Sequence, residues 1–205
     1  MCCSLWTVRA GARRRCHTPG IYDVAFFSNV NIPIFAPANY AELRYWLTYL
    51  VRVAHGPRMI RYARGGENPA LAALPCTGAR YDVLDPVDGA RVALVSYGAE
   101  TEEIIAAKDL LAQHGVQADC VKLTQLYPLP DGVCDTLKHY DTILFAEDTV
   151  RTGGIGEQLA LPCSNAAGRA NSCCMPWTTA ICCTPMCPNC ARISSLTPRP
   201  SAQIF

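Results

Sequence analysis

Two arginines and two glycines near residue 60 form the stretch of this chain best suited to bind a charged ligand. Arg61 and Arg64 stand at the end of an apolar segment, Arg58 to Ala63, and Gly65 and Gly66 follow. A guanidinium group suits phosphate because its planar fork donates two parallel hydrogen bonds to two oxygens. From spacing alone, phosphate binding and pairing with surface carboxylates remain equal alternatives for both arginines.

A second glycine-rich stretch, Gly153-Gly154-Ile155-Gly156, precedes a predicted helix that starts at Glu157. The N–H groups at a helix N-terminus can hold a phosphate. Four residues without a wider nucleotide-binding fingerprint are weak evidence for that role. We therefore interpret this stretch as a tight strand-to-helix turn.

The elements that would position Arg61 and Arg64 form a strand–helix–strand unit, called the first unit (residues 20–66). The apolar run Val30 to Ala36 predicts a buried strand. Asn39 offers an N-cap with Glu42 three residues later, and apolar residues at helical spacing predict a helix to about Ala54. Arg58 to Ala63 predicts the next strand, parallel to the first. Open α/β sheets bind ligands at the carboxyl ends of such strands.

The second unit (residues 91–162) alternates strands and helices, which predicts a small doubly wound α/β domain. Residues 67–90 contain several prolines and glycines with little periodicity, and they predict a linker. The predicted elements are a strand at Val92–Val95, a helix from about Glu100 that closes at Gly115, a strand at Asp119–Leu123, a short helix from Asp131 and a strand at Thr142–Ala146.

Charge and cysteine divide the chain into three parts. All 17 acidic residues lie between Asp23 and Glu157, where the net charge is −6, and both ends are purely basic. Ten of the 13 cysteines lie in the two ends.

The overall net charge of +1 does not indicate a nucleic-acid-binding protein. No apolar run reaches the roughly 18 to 20 residues that span a bilayer.

Several motifs resemble 1-deoxy-D-xylulose-5-phosphate synthase, a transketolase-like thiamine-diphosphate enzyme. The matching motifs are Gly20–Ser28, Pro37–Arg44, Ile60–Gly65, Leu126–Leu129, Ala146–Asp148 and Gly153–Gly156. The resemblance implies an α/β chain in which the first unit is the end of a pyrimidine-binding domain. The second unit would be a transketolase C-terminal domain, and residues 1–19 and 163–205 would be irregular termini.

The resemblance also implies an activity, the condensation of pyruvate with glyceraldehyde 3-phosphate with release of CO2. This reaction serves isoprenoid-precursor and thiamine biosynthesis, in a cytoplasmic homodimer that uses thiamine diphosphate and magnesium. Arg64 would hold the aldehyde's phosphate, with Arg61 as a weaker candidate. The family's catalytic histidine lies two residues before the glycine that matches Gly20. Thr18 stands at that position, so His17, one residue earlier, is the catalytic candidate.

Other parts of the family's machinery do not occur in this sequence. The family binds magnesium and the cofactor diphosphate through a Gly-Asp-Gly stretch, which is absent, and its activating glutamate lies upstream of the matched motifs. We therefore expect a fragment that binds no cofactor or metal by itself and is inactive alone. The alternative is a non-catalytic dimerisation or split-enzyme subunit of a transketolase-like enzyme, with a separate N-terminal half as partner. Neither a nucleic acid nor a membrane is an expected partner.

The two ends have three competing explanations. Cys187 and Cys190 have the C-x-x-C spacing of zinc sites, but no histidine or acid supports them. Disulfides would require an oxidising compartment. Translation out of register accounts for both ends, because one choice of codons for Cys16–Gly20, read one base later, encodes Ala-Thr-His-Gln before glycine. We therefore expect an irregular, metal-free tail and a second unit that lacks its last helix and strand.

Overall fold

The structure, a computed structural model, describes residues 9–10, 21–63, 66–166 and 171–176, with side chains for 21–63 and 66–160. The helices are α1 (Asp23–Asn29), α2 (Tyr40–Arg52), α3 (Pro69–Ala72), α4 (Thr101–Gln113), α5 (Val133–Leu137) and α6 (Ile155–Ala166). The strands are β1 (Arg9–Ala10), β2 (Ile34–Phe35), β3 (Met59–Ile60), β4 (Tyr62–Ala63), β5 (Tyr81–Leu84), β6 (Val92–Tyr97), β7 (Ala118–Leu123), β8 (Gln125–Tyr127), β9 (Thr142–Glu147) and β10 (Asn171–Pro176).

A five-stranded sheet organises the second unit, in the order β10-β9-β6-β7-β5. The first four of these strands are parallel, and β5 runs antiparallel along β7 at one edge. Helix α4 covers one face through Ile104 and Leu111, which pack with Leu94 of β6. The parallel β6–α4–β7 connection is the one predicted, and Gly115 ends the helix with a φ of 75° that favours glycine.

A smaller sheet, β3-β2-β8, carries the first unit. Helix α2 packs on it because Trp46 and Leu50 form one apolar face that meets Phe35 and Ile60. The predicted helix is confirmed, with Asn39 as its N-cap. Strand β8 belongs to the second half of the chain yet pairs antiparallel with β2. The two units therefore share a sheet, and one apolar cluster extends from Ile34 to residues of the larger sheet.

Two predictions about the first unit and its linker require correction. The single strand predicted for residues 58–63 is two strands, β3 and β4, because β3 pairs with β2 while β4 pairs with β1. The linker predicted for residues 67–90 contains α3 and β5. Strand β5 has no strong apolar alternation, and its pairing with β7 supplies the backbone hydrogen bonds that make it a strand. The domain boundaries themselves stay a prediction.

The prediction of an irregular tail from residue 163 is wrong for the part that the structure describes. Helix α6 continues to Ala166, although Pro162 inside it lacks the N–H that a helix interior uses. Strand β10 then pairs parallel with all six residues of β9, so the larger sheet has a last helix and strand. The rest of the tail, residues 167–170 and 177–205, lies outside the described residues, as do residues 1–8 and 11–20. The out-of-register and zinc hypotheses for these ends stay untested.

Candidate functional site

A cavity of about 230 Å³ lies where the two units meet. It is lined by the start of α2 (37–40 and Leu43), the end of β4 with the segment after it (62–63 and 66–68), Leu71 of α3, and residues 99–100 before α4. Two of the motifs singled out in the sequence, Pro37–Arg44 and Ile60–Gly65, therefore come together at one pocket. Both follow strands of the same parallel pair, as expected for a ligand site in an open α/β sheet.

The predicted phosphate-binding residue Arg64 and its neighbour Gly65 lie outside the described residues. Ala63 on one side of them and Gly66 on the other both line the cavity. Phosphate binding by Arg64 is not tested by the geometry and stays a prediction. The candidate catalytic residue His17 also lies outside the described residues.

The first turn of α2 is held by side chains on three sides. Asn39 Oδ1 accepts from the N–H of Glu42 at 2.9 Å, and its Nδ2 donates to two backbone carbonyls next to α3, each at 2.9 Å. Glu42 reaches back to accept from the N–H of Ala38 at 2.9 Å. This is close to the predicted capping box. Glu67 accepts from the N–H of Tyr40 at the pocket rim, so the free N–H groups of the helix start are largely satisfied from within the chain.

Arg61 lies between β3 and β4 with a side chain only 4% exposed. Its Nη2 donates to Asp148 Oδ2 at 2.7 Å, and the guanidinium lies 5.7 Å from the centre of the Tyr97 ring. The partner carboxylate is itself largely buried, unlike the surface carboxylate expected from the sequence. Burial raises the pKa of nearby Asp23, an effect that Arg61 partly offsets. Phosphate binding by Arg61 stays a prediction.

The glycine turn before α6 is closed by a carboxylate. Buried Glu147, the last residue of β9, accepts from the N–H groups of Ile155 and Gly156 at 3.1 and 3.2 Å. Tyr97 and Thr149 donate their hydroxyls to the same carboxylate. Burial raises the pKa of Glu147 although these donors oppose the shift. Because Glu147 already occupies this helix N-terminus, the interpretation as a structural turn holds and no room is left for a phosphate.

Sequence reasoning missed the charged residues that join the units. Lys122 in β7 is 1% exposed and pairs with Glu42, and Glu147 organises the start of α6. A lysine within the predicted buried strand Asp119–Leu123, between Val121 and Leu123, was a usable signal, since lysine is almost never fully buried unless paired. Glu147 was part of the motif Ala146–Asp148, but nothing in the sequence indicated its contacts with the start of α6, because an acid at a strand end is ordinarily solvent-exposed.

Among the residues that the structure describes, no group of three or more His, Cys, Asp or Glu side chains could hold a metal ion. Within the same residues, no helix combines the length and apolar character that crossing a membrane requires.

Comparison with known proteins agrees with this architecture. Residues 82–171 match the family described as transketolase, C-terminal domain. A split-gene transketolase, solved as an inactive β4 tetramer, aligns with a TM-score of 0.62 at 22% identity, covering 87% of this chain and 57% of its own. Transketolase from Campylobacter jejuni aligns with a TM-score of 0.58 at 14% identity over 82% of this chain and 26% of its own. The larger sheet and its helices therefore have the α/β fold of a transketolase C-terminal domain.

Sequence relatives narrow this assignment. A protein named 1-deoxy-D-xylulose-5-phosphate synthase 2, from Kitasatospora griseola, is 30% identical over 148 residues, 69% of this chain and 23% of that protein. The synthase of Leifsonia xyli subsp. xyli is 29% identical over 141 residues, 68% of this chain and 22% of that protein. The chain resembles the C-terminal portion of 1-deoxy-D-xylulose-5-phosphate synthase, and it spans less than a quarter of the relatives' length.

Proposed function

We propose that this chain is the C-terminal part of a 1-deoxy-D-xylulose-5-phosphate synthase, a transferase that condenses pyruvate with glyceraldehyde 3-phosphate and releases CO2. The observation that carries the proposal is the cavity between the units, whose lining flanks Arg64 on both sides. The names of the sequence relatives support the same activity. Synthesis of isoprenoid precursors and thiamine from these substrates would place the protein in the cytoplasm.

The role proposed for this chain is substrate binding. Arg64 would hold the aldehyde's phosphate through a bidentate, charge-assisted contact at the pocket. Arg61 is the weaker candidate, because its guanidinium is already paired with Asp148. His17 stands one residue before the family's catalytic position, so it would serve proton transfer only if its side chain came within hydrogen-bond distance of the reacting group. Thiamine diphosphate and magnesium would be held by another part of the enzyme, since the Gly-Asp-Gly stretch through which the family binds them does not occur in this sequence.

Activity measurements test the proposal. The isolated chain is expected to show no pyruvate decarboxylation with thiamine diphosphate, magnesium and glyceraldehyde 3-phosphate. Fusion or co-expression with the N-terminal part of a relative should restore product formation. Turnover by the isolated chain would contradict the proposed inactivity, and a fused protein that binds cofactor but makes no product would contradict the proposed reaction.

The role of Arg64 is tested in the restored enzyme. Arg64→Ala should raise the KM for the phosphorylated aldehyde far more than the KM for pyruvate. Loss of a charge-assisted contact costs about 1.5 to 3 kcal/mol, which corresponds to roughly a tenfold to hundredfold change. Arg52→Ala is the matched control, because Arg52 is an exposed arginine in the last turn of α2. Equal effects of the two substitutions would favour the alternative in which Arg64 pairs with a surface carboxylate.

A second candidate function is a non-catalytic subunit of a split transketolase-like enzyme. It is favoured by the fold likeness to the split-gene transketolase, which was solved as an inactive tetramer of one subunit type. Light scattering after size exclusion, with and without a co-expressed N-terminal half, distinguishes the two. A stable assembly of this chain alone that gains activity with the separate half supports the split enzyme.

Resequencing the gene around the codons for Cys16 and Pro162 tests the out-of-register hypothesis for both ends.

A further inference from the structure

The two units are joined by a buried group of three charges. Lys122 of β7 is 1% exposed, and its Nζ donates to Glu42 Oε1 of α2. The same Nζ lies 3.1 Å from Asp82 Oδ2 of β5, an ion-pair contact without good hydrogen-bond alignment. The other oxygen of Asp82 accepts from the hydroxyl of Thr77 at 2.8 Å. One lysine of the larger sheet therefore holds carboxylates from two separate segments.

Glu42 transmits this contact to the pocket. While Oε1 binds Lys122, Oε2 accepts from the N–H of Ala38 at 2.9 Å. Ala38 is part of the cavity lining, together with Asn39 and Tyr40 that follow it. The N–H of Glu42 is bound in turn by Asn39, so the ion pair and the helix cap restrain the same turn. The position of residues 38–40 is thus tied to β7 through a single carboxylate.

A glutamate at this position needs a partner for its charge. The Glu42 side chain is 3% exposed, and burial of an unpaired carboxylate is strongly unfavourable. Without Lys122, the Glu42 carboxylate would have to turn towards water to regain a partner for its charge, and this movement alters its bond from the N–H of Ala38. If the ion pair were merely structural, its loss would lower the stability of the whole protein. If it positions the pocket lining, its loss should also change residues 38–40 locally.

We propose that Lys122 is a positioning residue of the pocket, which acts through Glu42 to fix the lining segment 38–40. The ligand part of this inference rests on the proposed function, in which the pocket receives a phosphorylated aldehyde. The part about geometry does not need a ligand. Lys122 lies outside the pocket lining and does not touch the ligand, so its effect on binding is indirect.

Hydrogen exchange of single amides in the full chain tests the geometry. In Lys122→Met, protection of the Ala38 amide should fall at least about tenfold more than protection of the Val121 amide, which reports on the larger sheet. Lys108→Met is the matched control, because Lys108 binds the backbone carbonyls of Leu84 and Asp85. Lys108→Met should leave unchanged the ratio between the protection factors of the Ala38 and Val121 amides. Parallel loss of protection at both amides in Lys122→Met would overturn the proposal.

A second variant keeps the test decisive if Lys122→Met fails to fold. Lys122→Met combined with Glu42→Gln removes both charges and leaves an amide oxygen that can accept from Ala38. This double variant should regain protection at Ala38, and failure to regain it in a folded protein would count against the role of Glu42. Titration with glyceraldehyde 3-phosphate follows, and Lys122→Met should bind about tenfold more weakly than wild type. A wild-type chain that does not bind the aldehyde contradicts the proposed function, while the exchange result still decides the role of Lys122.

Discussion

The turn before α6 offers a sharp test of the packing, through the substitution Gly154→Ala. A Cβ atom at Gly154 would lie 2.5 Å from Glu147 Oε1 and 2.6 Å from the backbone oxygen of Val150. The Val150 backbone cannot move cheaply, since its N–H donates to the carbonyl of Ile21 at 3.0 Å. Relief of both contacts requires the turn at Gly154 to shift away from Val150 and the Glu147 side chain to leave its place. Glu147 would lose its bonds from the N–H groups of Ile155 and Gly156.

The magnitude follows from these two bonds. Each hydrogen bond to a charged group contributes about 1.5 to 3 kcal/mol. The alanine regains up to about 1 kcal/mol through lower chain entropy in the unfolded state. We expect a net loss of about 2 to 5 kcal/mol in the free energy of unfolding. For a chain of this size that corresponds to a Tm lower by roughly 4 to 20 °C.

The assay is urea unfolding followed by far-ultraviolet circular dichroism, with Gly66→Ala as the matched control. A Cβ at Gly66 would have no atom within 4 Å, and Gly66 does not need a left-handed backbone. That variant should equal the wild type or exceed it by up to about 1 kcal/mol. If Gly154→Ala proves as stable as Gly66→Ala, the inference that Glu147 closes the start of α6 is refuted.

Three further predictions concern single side chains. The pKa of Asp23 is raised by burial, so its carboxyl contributes stability that is present in full below the unfolded pKa and is lost as pH rises through the folded pKa. Asp23→Asn should therefore stabilise the protein more at pH 7 than near pH 4, as measured by urea unfolding. A larger stabilisation near pH 4 would contradict this. Burial raises the pKa of the Cys120 thiol to about 12, so iodoacetamide should label exposed Cys76 and spare Cys120 until the protein is unfolded, as peptide mass mapping can check. Asn39→Ala should lower the free energy of unfolding by about 2 to 4 kcal/mol, because it removes a helix cap and two side-chain hydrogen bonds to the carbonyls of Leu71 and Leu74. Asn68→Ala removes the cap of α3 and a single further bond, to Glu102, and should cost about 1 to 2 kcal/mol. Equal losses would show that the bonds of Asn39 to the two carbonyls do not matter.

The local parts of the fold could be predicted from the sequence. Helix α2 was found because its cap at Asn39 and its apolar face at Trp46 and Leu50 depend on residues three and four apart. The end of α4 at Gly115 is equally local, since a residue with a φ of 75° is favourable mainly for glycine. Three of the four parallel strands of the larger sheet, β6, β7 and β9, could be predicted from short runs between such helices, whereas β10 could not.

Contacts between distant segments were decided only by the tertiary structure. Strand β5 lies in a stretch that looks irregular, and it is a strand because β7 supplies its hydrogen-bond partners. Strand β8 leaves the second unit to pair with β2. Pairing partners of a strand can lie anywhere in the chain, so no local pattern identifies them.

The same reason limits what could be known of the candidate site. The sequence by itself brought out Arg61 and Arg64, because their residue type and their position at the end of a strand suit a ligand site, and the segment at Pro37 through its resemblance to a family motif. It could not reveal that Arg61 is neutralised by Asp148, 87 residues away, or that Lys122 holds Glu42 across 80 residues. A buried charge is stable only with its partner in place, and the partner's position is a property of the folded chain.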